Sequence, residues 1–439
     1  MAGRKTLGLA TRYLDWRAAR WSEERLRRHQ MRQIDRLLRF VRAKSPYYRS
    51  RLARGALTLD SVPRMDKATM MWHFDDINTA GLRRDDLVSF RIDQERRGLT
   101  DLYPGSYSIG LSSGTSGNKV LTVLSRWERA RYSVLLLARS GVPRDLRERR
   151  VLFALRTNNP AFTAVTAFGV ALHYVDYFVP IPELVDLVNE KRLNILAGPP
   201  SLLVLLAEQA ASIRSPIAAV ISYAEELDSP TRAYLESTLS APVSEIYQGA
   251  EGMLGFTCSF GTLHLSEDTT VVEFLDAGDS LGKTKRVMVT DLYRRTQPFI
   301  RYELNDLLEV GGRDCACGSA FRRIVRIHGR EDSVFILPGK SGATVRLMPD
   351  YVRRAINQAS PDILEYQAIQ LSLDEIEIRL SLGQGADTAA ITSAIERNLE
   401  MWATRAGGSI GSLRFSDTPP VRDPVSHKLV RVISRVTQR

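Results

Sequence analysis

Between residues 127 and 291 short apolar runs alternate with helix-like segments, and this alternation constrains the fold more than any other feature of the chain. Val151–Leu155, Ile195–Ala197, Ala218–Tyr223 and Arg286–Asp291 read as strands, while Trp127–Arg139, Pro182–Lys191 and Ser201–Ala211 read as helices. Strands that are apolar from end to end are buried on both faces, so the expected core is α/β with largely buried strands. From about Ser333 the pattern changes. A helix at Pro349–Gln358, strands at Tyr366–Ser372 and Glu375–Leu382, a helix at Thr388–Met401 and a strand at Ser412–Ser416 describe a compact α+β unit. The Gly383–Gly385 and Gly407–Gly411 stretches are loops. At 439 residues, two or three domains fit, as does one large domain with a small satellite.

The net charge of +11 invites a nucleic-acid reading until it is located along the chain. Residues 1–60 hold 16 Lys/Arg against 5 Asp/Glu, an excess equal to the whole net charge. Within that region Leu26, Ile34, Leu37, Leu38 and Val41 recur near helical spacing and Arg25, Arg28, Arg32, Arg36 and Arg39 fill the gaps. This is an amphipathic basic helix, read first as the solvated face of a helix packed on the body and second as a docking patch for anionic lipid or an acidic carrier protein. No RNA-recognition signature or zinc-finger spacing accompanies the charge, which argues against nucleic acid. No run approaches the roughly 18 apolar residues of a membrane span. Arg12, Asp15 and Arg17 interrupt the N-terminus where a signal peptide needs an apolar stretch, so the expected location is the cytoplasm.

The strongest local signal is Leu111-Ser112-Ser113-Gly114-Thr115-Ser116-Gly117-Asn118-Lys119, followed by the apolar run Val120–Leu124. Glycines let the backbone approach an anion, hydroxyls donate to phosphate oxygens and the lysine adds positive charge, so the segment reads as a phosphate-gripping loop rather than a plain polar turn. Gly278-Asp-Ser-Leu-Gly282-Lys283-Thr284 imitates another nucleotide loop but lacks one residue between its glycines and precedes a strand-like run. It is expected to be a hairpin turn after Val271–Leu275.

Three further segments carry acids. They are Glu245-Ile-Tyr247-Gln248-Gly249-Ala250-Glu251-Gly252, Pro298-Phe-Ile300-Arg301-Tyr302-Glu-Leu-Asn305-Asp306 and Arg326-Ile-His-Gly329-Arg330-Glu331-Asp332. Alone, each acid is an ordinary loop residue. In this order after the Ser/Gly/Thr loop, they resemble the adenylate-forming superfamily of acyl-CoA synthetases, peptide-synthetase adenylation domains and luciferases. The branch most resembled is that of the phenylacetate-CoA ligase-like enzymes and the related synthetases that adenylate a deazaflavin coenzyme. Lys44-Ser-Pro-Tyr-Tyr-Arg49, Ser222-Tyr-Ala-Glu-Glu-Leu227 and Lys428-Leu-Val-Arg431 extend the resemblance over most of the chain.

The resemblance implies a large N-terminal α/β adenylate-forming domain over residues 1–332, including the basic helical region 1–60. It also implies a small mobile α+β C-terminal lid over 333–439. It implies that Ser112, Ser113, Gly114, Thr115, Ser116, Gly117 and Lys119 hold the ATP phosphates, that Ala224, Glu225, Tyr247, Gln248 and Gly249 line the nucleotide site, and that Glu251 ligates magnesium. Asp306 would bind the ribose hydroxyls, Arg330 would lie near ribose and phosphate, and Asp332 would be the hinge. Lys428 would act with Lys119 and Glu251 in adenylation. Tyr223, Tyr247, Gly249 and Asn158 would line the pocket of a carboxylic acid, and the branch leans toward an aromatic one. Ala250 replaces the threonine of many superfamily members, and His427 stands where glycine usually precedes the late lysine. The implied reaction is ATP-dependent acyl-adenylate formation, then transfer to coenzyme A or a carrier-protein thiol. Adenylyl transfer without thioester formation and a non-catalytic nucleotide-binding scaffold are the alternatives.

Every cysteine of the chain falls in one further pattern. Cys258 and His264 are followed by Cys315-Ala-Cys317-Gly318. Three thiolates and an imidazole suit tetrahedral zinc, a structural ion with no open coordination position; the other reading is three buried cysteines and a surface histidine. The phenylacetate-CoA ligase-like branch has a similar Cys/His pair and Cys-x-Cys-Gly element.

Overall fold

The computed structural model describes Leu14 and residues 20–52, 57–111, 120–143, 146–155, 160–176, 179–279, 282–339, 342–422 and 429–436. The chain divides into two compact units. Unit 1 comprises Met1–Val272, Val289–Glu303 and Gly311–Ile324; unit 2 comprises Glu273–Met288, Leu304–Val310 and Val325–Arg439.

Among the described residues unit 1 is built on a seven-stranded sheet. Its strands lie in the order Val170–Val175, Arg149–Ala154, Ile195–Gly198, Ala219–Ser222, Val243–Gly249, Gly252–Thr257 and Leu263–Leu265. The first five are parallel and the last two antiparallel. Ile195–Gly198 and Ala219–Ser222 are buried at every position, as runs without polar alternation require. One face is covered by the Arg126–Arg139 helix, whose Leu135 joins Val151, Phe153, Ile195 and Ile221 in a single core. The other is covered by Ile181–Glu190, Pro200–Glu208 and Ser229–Leu239, through Leu184, Val188, Leu203, Leu206 and Leu235.

The basic helix spans Glu23–Lys44, N-capped by the Ser22 hydroxyl on the Arg25 N–H. Its apolar stripe is packed, with Leu37, Leu38 and Val41 fully buried and Leu26 nearly so, while Arg25, Arg28, Arg32, Arg36 and Arg39 are exposed. Glu24 pairs with Arg28 and Asp35 with Arg39 one turn apart. His29 and Gln30 bond the Asp268 and Glu267 carbonyls, and the Tyr293 hydroxyl reaches His29 Nε2 at 3.1 Å. No described helix is long and apolar enough to cross a membrane.

Unit 2 carries a four-stranded sheet in the order Ser412–Ser416, Glu375–Leu382, Ile363–Gln370, Val432–Ser434, backed by the Pro349–Asn357 and Thr388–Arg405 helices. The second helix runs one turn beyond the expected Met401. The cause is visible in its apolar spacing: Ile391, Ile395, Leu399 and Ala403 form one buried stripe at four-residue steps. The Ile363–Gln370 strand begins three residues before the expected Tyr366, because Ile363 already pairs with Leu382 across a register shift. A hairpin of Phe335–Pro338 and Thr344–Leu347 joins the same core, which the sequence pattern did not disclose. The Gly278–Thr284 segment links two neighbouring strands, Thr270–Asp276 and Thr284–Asp291. Gly278 and Gly282 take positive φ, and the Asp279 carboxylate accepts from the Thr284 N–H and hydroxyl. Ser280 and Leu281 lie outside the described residues; the strands on either side are neighbours in one sheet, as the expected hairpin requires.

Candidate active site

The Val243–Gly249 strand leaves the carboxyl edge of the parallel sheet and turns through Ala250 and Glu251 into Gly252–Thr257. That turn leaves little free room for a side chain at either glycine. A Cβ at Gly249 would overlap the Glu251 carboxylate, and Gly252 holds φ at +135° with Asp291 at 3.3 Å from where its Cβ would be. The Tyr302 hydroxyl donates to Glu251; burial, and then the charge of Glu251, raise the tyrosine's pKa so that it stays a donor.

Behind the turn lies Arg294, buried to 6% exposure. Burial lowers its pKa, opposed by Glu128, Asp291 and Glu251 in that order. Its guanidinium donates to the Ala250 carbonyl at 3.2 Å and to the Val123 carbonyl at 3.3 Å. Gln297 continues the bridge, accepting from the Val123 N–H and donating to the Leu121 carbonyl, each at 2.9 Å. Arg294 and Gln297 therefore tie the Glu251 turn to the Leu121–Leu124 strand. Glu128 anchors the segment from the far side, accepting from the Arg295 and Thr296 N–H groups and from the Thr296 hydroxyl. Burial opposes its charge, but Arg294 and the hydroxyl donors outweigh it and hold the carboxyl below the usual range.

The expected phosphate loop, Ser112, Ser113, Gly114, Thr115, Ser116, Gly117 and Lys119, lies outside the described residues, as do Asn158 and Lys428. The strands flanking the loop, Ser108–Leu111 and Leu121–Leu124, pair antiparallel with Leu111 opposite Leu121. Of this flanking pair, Leu121 is on the strand that Arg294 and Gln297 grip.

At the next strand end, Ala224 adopts φ +68°, unusual for a residue with a Cβ, and is exposed. Glu225 accepts from the Ser201 N–H at 3.3 Å. Tyr223 is buried, its hydroxyl bonded to the Ala154 and Ala197 carbonyls of two adjacent strands. Its ring lines an apolar cavity of about 90 Å³ between the sheet and the Arg126–Arg139 helix. Gln248, which accepts from the Tyr132 hydroxyl, also lines it. Tyr247, one residue earlier, is buried without lining this cavity, as the alternation of a strand requires.

In unit 2, Asp306 and Arg330 come together, Oδ1 to Nε at 3.8 Å, with the arginine side chain 55% exposed. Asp332 sits in the short 3₁₀ turn Glu331–Ser333 that follows the Ile324–Arg330 strand.

A second cluster in unit 1 joins Cys258, His264, Cys315 and Cys317, whose ligand atoms all lie within 4.8 Å of one another. Cys258 Sγ is 3.9 Å from Cys315 Sγ, and Cys317 Sγ is 3.4 Å from His264 Nε2. With metal–sulfur bonds of about 2.3 Å and metal–nitrogen bonds of about 2.0 Å, the edges of a tetrahedron are about 3.8 and 3.5 Å. These two pairs already stand at those separations. His264 Nδ1 lies 2.9 Å from the Phe321 carbonyl, and donation there leaves Nε2 free as the ligand atom.

Sequence reasoning missed Arg294, Gln297 and Tyr302. Only Glu128 had a local signal, since Ser125-x-x-Glu128 is a capping-box pattern and the structure forms the box.

No family model matches the chain. A stretch of 129 residues is 29% identical to the phenylacetate-coenzyme A ligase of Thermus thermophilus, covering 28% of this chain and 28% of that relative's length. Over its whole length the fold is similar to that of a 2-hydroxyisobutyryl-CoA ligase in the postadenylation state in complex with 2-HIB-AMP, at TM-score 0.70 and 16% identity, with 95% of this chain and 91% of that chain covered. An anthranilate CoA ligase in complex with anthranoyl-AMP matches at TM-score 0.51 and 14% identity over 73% of this chain and 65% of its own. The O-succinylbenzoate coenzyme A synthetase of Bacillus subtilis, in complex with AMP, matches at 0.50 and 15% over 74% and 67%. The chain has the fold of the adenylate-forming CoA ligases.

Proposed function

We propose that this chain is an ATP-dependent acid–thiol ligase: it converts a carboxylic acid to an acyl-adenylate with release of pyrophosphate, then passes the acyl group to the thiol of coenzyme A or of a carrier protein. The observation that carries this reading is the Glu251 carboxylate, bonded by Tyr302 over Gly249 at the carboxyl edge of a parallel sheet, where α/β folds bind ligands. The likeness of the fold to an acyl-CoA ligase supports it.

In the first half-reaction an oxygen of the substrate carboxylate attacks the α-phosphorus of ATP in line, and the bond from that phosphorus to the bridging oxygen of pyrophosphate breaks. No protein nucleophile takes part, so the protein positions the reactants and neutralises charge. Glu251 is assigned to magnesium, which supplies charge neutralisation on the triphosphate. Ala250 adds no hydroxyl, leaving the carboxylate as the ligand at that turn. The loop Ser112–Gly117 with Lys119 is assigned to the triphosphate, Asp306 and Arg330 to the ribose side, Ala224 and Glu225 to the nucleotide's edge, and Lys428 to the α-phosphate under attack. In the second half-reaction the thiolate adds to the acyl carbon and AMP leaves. Residues 333–439 act as a lid that turns about Asp332 between the two steps. Phe153, Phe162 and Tyr223 in the cavity wall favour an aryl or other apolar acid, and Tyr247, Gly249 and Asn158 are assigned to the same substrate. Cys258, His264, Cys315 and Cys317 hold a structural zinc ion.

A pyrophosphate-release screen over aryl and fatty acids, with and without coenzyme A, tests the reading. Lys119→Ala should lower the rate by roughly 10- to 100-fold, the worth of one charge-assisted contact. Pyrophosphate from no acid overturns the proposal, whereas pyrophosphate without thiol consumption reduces it to adenylyl transfer.

A further inference from the structure

The cavity beside Tyr223 has a direction. Along the Arg149–Ala154 strand its wall is Arg149, Val151 and Phe153, every second residue and hence one face of the sheet. The neighbouring strand adds Val170 beside Arg149 and Leu172 beside Val151. Tyr223 and Gln248 stand at the opposite, carboxyl end, one residue before Gly249 in the case of Gln248. The cavity therefore runs from the foot of the Glu251 turn to the amino-terminal edge of the sheet, a span of roughly 13 Å between Arg149 and Phe153 at the usual strand rise.

Arg149 is the one charged residue in this wall. Its side chain is half-buried, its Nε is fully covered without a hydrogen-bond partner, and among the described residues it makes no ion pair. Its sequence neighbours behave differently: Glu148 and Arg150 pair with each other at the surface. A covered guanidinium N–H with nothing to donate to is costly in a native protein and calls for an acceptor. Apart from Arg149, Gln248 and Ser140, whose side chains lie at the cavity's ends or beside the helix terminus, the lining is aliphatic or aromatic.

We propose that Arg149 is the specificity-determining residue for the acid, and that the substrate carries a second anionic group, a carboxylate, at the end of an apolar body remote from the reacting carboxyl. This rests on the ligase reading above. The reacting carboxyl lies at the Gly249 end, the apolar body fills the cavity, and the distal carboxylate accepts from the Arg149 guanidinium.

The test compares equal-length pairs, alkanoic acids against α,ω-diacids from adipic to dodecanedioic acid and phenylacetate against its para-carboxy derivative, with wild type and Arg149→Met. Pyrophosphate release reads turnover, and calorimetric titration without ATP reads binding alone. At the matching length the diacid should exceed the monoacid in kcat/KM by roughly 10-fold or more, and Arg149→Met should abolish or invert that ratio by raising KM for the diacid. Arg149→Lys should restore part of it. A wild type that favours the monoacid at every length, or a ratio untouched by Arg149→Met in a folded protein, overturns the proposal while leaving the ligase reading intact if pyrophosphate is released. Diacid binding that depends on Arg149 without pyrophosphate release upholds the distal-anion site and removes the ligase reading.

Discussion

The Glu251 carboxylate folds back over Gly249 into the space that any Cβ at that position would occupy. The obstructing atom is the far end of a flexible side chain, so Gly249→Ala should displace the carboxylate without unfolding the protein. The expected result is an ATP–pyrophosphate exchange rate at least roughly 10-fold lower, with the melting temperature shifted by no more than a few degrees. Full exchange activity in that variant would separate Glu251 from the reaction.

Tyr302→Phe removes the donor to Glu251 and keeps the ring. It should raise the magnesium concentration needed for half-maximal exchange more than it changes the maximal rate, because a carboxylate that is no longer oriented binds a cation less well. An unchanged magnesium dependence would show that the hydroxyl only fills space.

One terminal nitrogen of Arg139 donates to both carboxylate oxygens of Asp268, 2.8 Å to each, with both side chains fully buried, and the arginine also lies over the Phe256 ring. Removing one partner leaves the other charge uncompensated. Asp268→Asn should therefore cost about 3–5 kcal/mol in a denaturant titration, and a loss below about 1 kcal/mol would mean that water reaches the arginine.

Burial pushes the Glu245 carboxyl up to about 7, against the opposing pull of Arg232 and the Leu227 N–H. Its folded pKa exceeds the unfolded one, so the native state holds the extra proton in between. Stability from this group is fully present below the unfolded pKa and is lost as pH rises toward about 7. Glu245→Gln should remove that slope, so its melting temperature relative to wild type should rise from acid toward neutral pH. A constant difference would place the Glu245 pKa at its ordinary value.

Metal analysis of the purified protein should find about one zinc per chain, and Cys315→Ser should lower both metal content and melting temperature, since a structural site contributes to folding. Metal-free protein of undiminished stability would leave the cluster as packed thiols.

The sheet was legible because fully apolar runs have few other places to go, and the cysteine cluster because every thiol of the chain takes part in it. The Gly249–Glu251 turn was legible as a carboxylate between glycines. Arg294 and Gln297 were not, since their partners at Ala250, Val123 and Leu121 lie from 44 to 176 residues away and no local pattern announces such bonds. Arg149 was hidden for the opposite reason. A charged residue at the head of a strand looks like a solvated end, and only the packed helix above it reveals that the face below is covered.

The order of strands in the main sheet follows the chain closely, so during synthesis each new strand emerges beside a partner already made. The first long helix has no such luck. His29, Gln30 and Phe40 find Asp268, Glu267, Tyr293 and Arg295 only after some 240 further residues have been translated. Its stripe is served earlier, since Leu26 shares a core with Trp21 and Leu135 and the helix packs on Pro46–Arg51, so it is the side bearing His29, Gln30 and Phe40 that has to wait. Nascent chains stalled before residue 260 should accordingly be cut more readily within Glu23–Lys44 by protease than chains released at full length.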